Sequence, residues 1–194
     1  CGIGNQLRYV DRFSTCRRNH RENVAEHQFY TAFFALLICE HLPPAEINVG
    51  IAVIRALLHD VEEHCTGDVI RPVKYDTKQT KRSLDQAGLK FCKRFFNSLT
   101  KDKAVAVQLL VDWKSAKDES REGRIVKFAD FLSVIAYLHQ EVKSGNHLVM
   151  ENVSQLKAYW RNFRAPEFNF IRILVDQSWL MVEALDNRLQ EKKP

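Results

Sequence analysis

At 194 residues, 45% hydrophobic and 27% charged, the chain is long enough for one sizeable core and has the make-up of a soluble globular protein. Its net charge of +5 is a mild excess that helps steer phosphate-bearing ligands, while the basic runs Lys78–Arg82 and Lys90–Arg94 lack the aromatic interleaving of a nucleic-acid platform. Five cysteines, odd in number and without a CxxC pair, argue against a disulfide framework or a thiolate zinc site and for a reducing, cytoplasmic setting; the longest apolar stretch, Phe29 to Cys39, falls short of the roughly 20 residues that span a bilayer, and no signal-peptide pattern is visible.

Helical periodicity dominates from the start. Tyr30, Phe33, Phe34, Leu37 and His41 fall at i, i+3, i+4, i+7 and i+11 before Pro43-Pro44 stops the helix. Ile47, Ile51, Ile54, Leu58 and Val61 form a second apolar stripe, which Thr66-Gly67-Asp68 breaks; Pro72 keeps the stretch after it irregular. Further helices are expected over about residues 76–99, 102–114, 121–143, 147–163 and 167–190. Ile125, Phe128, Leu132 and Ile135 mark the buried face of the third of these, and Ser144-Gly145-Asn146 and Ala165-Pro166 are the clearest later breaks. No strand-like alternation, repeat or linker is present, so the expectation is one all-α domain over residues 1–194.

Four residues in this frame carry chemistry. His27, the adjacent pair His59-Asp60, and Asp130 each fall in a segment that reads as an apolar, buried helix. Two imidazoles and two carboxylates suit a borderline divalent metal such as Mn, Co, Zn or Fe, and a metal would neutralise an Asp that is costly to bury alone. Singly, each residue has a plain structural reading: a helix-end His, a capping or salt-bridged Asp, a buried Asp paired with Arg. Together they favour a metal site over four separate structural roles. Adjacent helical residues differ by about 100° in direction, so His59 and Asp60 reach one ion only off the helix flank. Glu63 lies four residues beyond His59, one turn on and on the same side, where a carboxylate can take a proton from water. Glu62 points elsewhere, and His64 reads as packing or surface.

The blocks Arg12-Phe13, Glu22 to His27, Leu58-His59-Asp60, Glu63, Thr66-Gly67-Asp68, Pro72-Val73-Lys74-Tyr75 and Asp130, in this order and spacing, resemble the HD-domain metal-dependent phosphohydrolases. The nearest likeness is to bacterial 5′-deoxynucleotidases and phage dATP triphosphohydrolases. It runs over nearly the whole chain, with little motif content after about Tyr137. The resemblance implies a single HD-domain helical bundle with a divalent metal (Co, Mn or Zn, with Mg as an alternative) held by His27, His59, Asp60 and Asp130. It implies that Glu63 positions or deprotonates the attacking water, that Asp68 accepts a hydrogen bond from the sugar 3′-hydroxyl, and that Arg12 and Lys74 hold phosphate. The chemistry agrees, since Arg offers a planar fork and Lys a mobile point charge. Phe13 departs from the Trp common at that position, which relaxes or reassigns discrimination against a 2′-hydroxyl. Ile70 stands where Pro is often found, and with Thr15 it would shape the base pocket.

The function expected is removal of phosphate from 2′-deoxynucleoside 5′-phosphates. A dNTP triphosphohydrolase, perhaps on dATP, is the alternative with the same catalytic set. A degenerate nucleotide-sensing module predicts loss of a ligand or of the base, and neither is lost here. The partners expected are a small deoxynucleotide, no nucleic-acid polymer, no membrane, and further copies of the chain in a homo-oligomer.

Overall fold

The computed structural model describes residues 3–150, 158 and 169–191. A 3-10 segment, Ile3–Tyr9, leads into α1 (Val24–Glu40), α2 (Val49–Leu58) and the short α3 (Glu63–Thr66) and α4 (Arg71–Lys74). Then come α5 (Lys78–Leu99), α6 (Lys103–Lys114), α7 (Arg121–Lys143) and α8 (Asn169–Glu191). Among the described residues there is no strand, only one isolated bridge between Asp11 and Asn23. The expected helix over 147–163 lies largely outside the described residues; its first residues, His147–Val149, form a 3-10 turn.

Side-chain caps start the long helices where the sequence places polar residues. Asn23 accepts from the Glu26 amide while the Glu26 carboxylate accepts from the Asn23 amide, a reciprocal capping box at the start of α1. Asn48, Thr77, Asp102 and Ser120 cap α2, α5, α6 and α7 one way, each accepting from a first-turn amide. Pro72 sits inside the first turn of α4 rather than in irregular chain; first-turn amides have no intrahelical acceptor, so proline loses nothing there.

The helices enclose two apolar cores. The larger surrounds α7, with Ile125, Phe128, Ile135 and Leu138 packed against α1 and α2, and Val175, Trp179 and Val182 of α8 sealing one side. The smaller is built by Phe91, Phe95 and Phe96 of α5 with Ala106 of α6, Leu7, Val24 and Val61. Two chain segments cross from one core to the other. In α1, Val24 belongs to the small core and Ala32 to the large one, with His27 between them. From Ala56 in the large core the chain runs to Val61 in the small one through His59 and Asp60.

The apolar stripes are only partly buried: Phe34, Ile47 and Leu58 pack against the cores and Val61 is buried, but the innermost positions of α1 and α2 are others. α1 turns Val24, His27, Gln28, Thr31, Ala32, Ala35, Ile38 and Cys39 inward and leaves Tyr30, Phe33 and Leu37 largely exposed. α2 buries Ala52 and Ala56 completely, whereas Ile54 remains on the surface. Small side chains set a short distance between helix axes, and the bulky ones do not fit in that contact. The face expected for α7 is the one observed.

Candidate metal centre and nucleotide cavity

The crossing segments deliver their polar residues to one point. The ring nitrogens of His27 and His59 and a carboxylate oxygen of Asp60 lie within 4.8 Å of one another. His59 donates from Nδ1 to the Ala56 carbonyl at 2.6 Å, which leaves the Nε2 lone pair facing inward. His27 is held from behind by Ser133 Oγ at 3.1 Å, and its Nε2 stands 3.3 Å from that of His59. Asp60 Oδ2 is 2.8 Å from His59 Nε2, and Asp130 Oδ1 reaches His27 Nε2 at 3.1 Å from α7. The set of two imidazoles and carboxylate oxygens, converging in a buried place, fits a divalent metal.

Between His59 and Glu63 the chain is not the continuous helix that i, i+4 spacing supposes. α2 ends at Leu58, four turn residues follow, and Val61 and Glu63 bond back three residues, at 3.1 Å each, to Leu58 and Asp60. The tighter winding still brings Glu63 onto the wall that holds Asp60 and Asp130. Glu63 is buried, and its Oε2 has no hydrogen-bond partner. Burial, with Asp60 and Asp68 beside it, holds its carboxyl well above the usual range. Burial opposes the charge on Asp60 and Asp130 too, but His59 and Lys117 at Asp60, and Lys117 and His27 at Asp130, bring both below the usual range. Burial and the nearby Arg12 push His27 down to about 3, so the imidazole is neutral, as a metal ligand must be.

Arg12, Phe13, Asp68, Ile70 and Lys74 line the same cavity of about 640 Å³. Arg12 is buried and fixed by Glu22 at 2.6 Å. Phe13 has φ +53°, a left-handed conformation uncommon for a bulky residue. Three contacts hold it: its amide donates to Asp68 Oδ2 at 3.0 Å, its ring stacks on Tyr137 at 4.8 Å, and the Arg12 guanidinium lies 4.9 Å from the ring centre. Thr15 is exposed and outside the lining; its neighbour Cys16 is there instead, so Thr15 and Ile70 are not brought together. Glu62 faces away and accepts from Trp113 Nε1 at 2.7 Å, and His64 packs on Phe91.

Three residues that support the site are not among the site residues expected from the sequence. Lys117, between α6 and α7, places Nζ 2.7 Å from Asp130 Oδ2 and 3.7 Å from Asp60 Oδ1. Its segment is polar and aperiodic, so nothing in the sequence singles it out. Glu22 was visible as part of a motif but not as the partner of Arg12. Glu141 is fully buried and accepts from the Asn19 and His20 amides at 2.8 and 2.7 Å and from Asn146, pinning the loop that carries Arg12 and Phe13. Its signal was available: it lies eleven residues beyond Asp130, about three turns on along the same side of α7.

The sequence profile of the family described as 5′-deoxynucleotidase YfbR-like matches residues 2–177. The chain belongs to that family. Among curated relatives, a 5′-deoxynucleotidase of Pasteurella multocida is 24% identical over 174 residues, covering 88% of each chain. Another, of Photorhabdus laumondii, is 25% identical over 178 residues, 88% of this chain and 87% of the other. An HD-domain phosphohydrolase of Listeria innocua superposes with a TM-score of 0.69 at 19% identity, covering 98% of this chain and 96% of that one. The HD phosphohydrolase of cyanophage S-2L, solved with dA and one catalytic Zn²⁺, superposes with a TM-score of 0.55 at 18% identity over 98% and 96% of the two chains. The YfbR-like chain is thus a hydrolase with the all-α HD-domain fold. No helix among its described residues is long and apolar enough to cross a membrane.

Proposed function

We propose that the chain works as a single-domain, divalent-metal-dependent 5′-deoxynucleotidase, converting 2′-deoxynucleoside 5′-monophosphates to deoxynucleoside and phosphate. The observation that carries this reading is Glu63, a buried carboxylate with an unpartnered oxygen on the same cavity wall as the His/Asp cluster. His27, His59, Asp60 and Asp130 are the ligands, and their mixed nitrogen and oxygen donors favour Co, Mn or Zn over the harder Mg. A divalent ion bound there supplies positive charge to the phosphate and acidity to water.

The chain's own groups do the rest. Glu63 aligns the attacking water and takes its proton, a task for which its raised basicity suits it. Arg12, held rigid by Glu22, and the more mobile Lys74 neutralise the phosphate oxygens as charge builds on them. Lys117 fixes Asp130 through Oδ2, leaving Oδ1 toward His27, and adds a third cation at the reacting phosphorus. Asp68 gives one oxygen to the Phe13 amide and the other to the sugar 3′-hydroxyl. Phe13 forms the wall near C2′, and Ile70 borders the base.

Glu63→Ala decides the catalytic part. Phosphate release from dAMP should fall by about 10²–10⁴-fold with metal content unchanged by elemental analysis, and normal turnover would remove Glu63 as the base. Asp130→Ala should lose metal; a stoichiometric complement would overturn its ligand role. Equal turnover of dAMP and AMP would overturn Phe13 as a sugar-reading wall.

The same reading makes the protein a cytoplasmic homo-oligomer. Four free cysteines among the described residues support the first part. The exposed ridge of Phe29, Tyr30, Phe33, Leu36 and Leu37 on α1 supports the second.

A further inference from the structure

Tyr137 stands seven residues beyond Asp130 on α7, two turns on and on the same side of the helix. It is buried in the large core, and it meets the segment between Arg12 and Glu22 at two separate points. Its ring lies parallel to that of Phe13, with 3° between the planes and 4.8 Å between the centres. Its hydroxyl donates to the His20 carbonyl at 3.1 Å.

The segment is closed at its base by the Asp11–Asn23 bridge, by the Arg12 amide donating to the Glu22 carbonyl at 2.9 Å, and by the ion pair of the same two residues. Its far part is tied down by Glu141 of α7, which accepts from the Asn19 and His20 amides. Just beyond the helix, the Asn146 side chain donates to the Arg17 carbonyl at 2.9 Å. Within this frame Phe13 is the only non-glycine residue with positive φ among those described. A bulky ring in that conformation keeps one position only if contacts outside its own backbone hold it. Asp68 holds the Phe13 amide, whereas the ring rests on Tyr137. Phe13 lines the nucleotide cavity and Tyr137 does not, so any effect of Tyr137 on a bound nucleotide passes through Phe13.

We propose that Tyr137 is a positioning residue for sugar selection: stacked on Phe13, it fixes how far that ring stands into the cavity and so how strictly a 2′-hydroxyl is refused. The proposal rests on the reading above of Phe13 as the wall near C2′ and names the residue that places it. An apolar wall by itself rejects one added hydroxyl only weakly, so its rigidity decides the outcome. Offset stacking on a buried ring supplies that rigidity. Because Asp130 and Tyr137 share one side of one helix, α7 also sets the spacing between the phosphate end of the site and the sugar wall.

The test measures kcat/KM for dAMP and AMP on the metal-loaded protein and follows their ratio across variants. Tyr137→Leu keeps apolar bulk without the ring. Its dAMP-to-AMP ratio should fall about three- to tenfold, chiefly through a lower KM for AMP, with metal content unchanged by elemental analysis. Tyr137→Phe keeps the ring and should retain most of the ratio. In the double variant Phe13→Leu, Tyr137→Leu the ratio should match that of Phe13→Leu alone, since one residue acts through the other. A general loss of stability lowers both rates alike and leaves the ratio where it was; if Tyr137→Leu does not fold, Tyr137→Met takes its place. The assignment is overturned by an unchanged ratio, by loss of metal, by Tyr137→Phe falling as far as Tyr137→Leu, or by a double variant that falls below Phe13→Leu. A wild type that turns over dAMP and AMP equally removes Phe13 as the wall and Tyr137 with it. If neither nucleotide is hydrolysed, the deoxynucleotidase reading fails first.

Discussion

The two faces of α1 obey opposite rules. The inward face is mostly small or polar, with alanines, a threonine, a glutamine and His27 beside Val24, Ile38 and Cys39. The outward face carries Phe29, Tyr30, Phe33, Leu36 and Leu37, from 39% to 61% exposed. At about 100° per residue the outward set occupies an arc of about 120°, and the buried set falls outside it. The difference teaches that helix separation, rather than hydrophobic content, decides which face is inside. Ala35 on α1, Ala52 and Ala56 on α2 and Ala129 on α7 are all fully buried, and their small size lets three helices approach closely enough for His27, His59 and Asp130 to reach one point.

Substitutions on the two faces should therefore have opposite signatures. The largest effect belongs to His27→Ala, which should lose bound metal by elemental analysis and lower phosphate release by on the order of 10³-fold. Retained metal would show that the inward face is merely packed. Next is Ala35→Leu, whose added bulk has no space in a fully buried contact. Unfolding in urea should show a loss of about 1–3 kcal/mol, and no loss would mean that helix separation is not set by that residue. The smallest effect on stability belongs to the outward pair Phe33→Ser, Leu37→Ser. In the same urea series the monomer should stay within about 0.5 kcal/mol of wild type, while sedimentation shows a shift to smaller species. A large destabilisation with unchanged assembly would mean that the ridge belongs to the core after all.

The same contrast explains what could be read in the sequence. Residues whose role is local were legible: the bounds of α7 and the breaks near Pro43 and Gly67 all follow from short-range chemistry. The cluster of His27, His59, Asp60 and Asp130 was legible because ligand-type side chains are conspicuous in apolar helices. Tyr30, Phe33 and Leu37 misled because periodicity reports that a helix has an apolar face, not what covers it. Lys117 was not legible: it acts through an approach between the α6–α7 connection and two distant carboxylates, and only the tertiary structure makes that approach. Thr15, expected with Ile70 at the base pocket, is exposed, and in the irregular chain there Cys16 takes its place in the cavity wall.

The seam between the two cores has a consequence for folding. His27 lies on one crossing and His59-Asp60 on the other, so neither core can assemble the donor set alone. Opening of either half scatters the donors even while the other stays folded. If the proposed metal binds there, its affinity would be tied to cooperativity between the halves, and the bound ion would act as a rivet that couples their unfolding into a single transition.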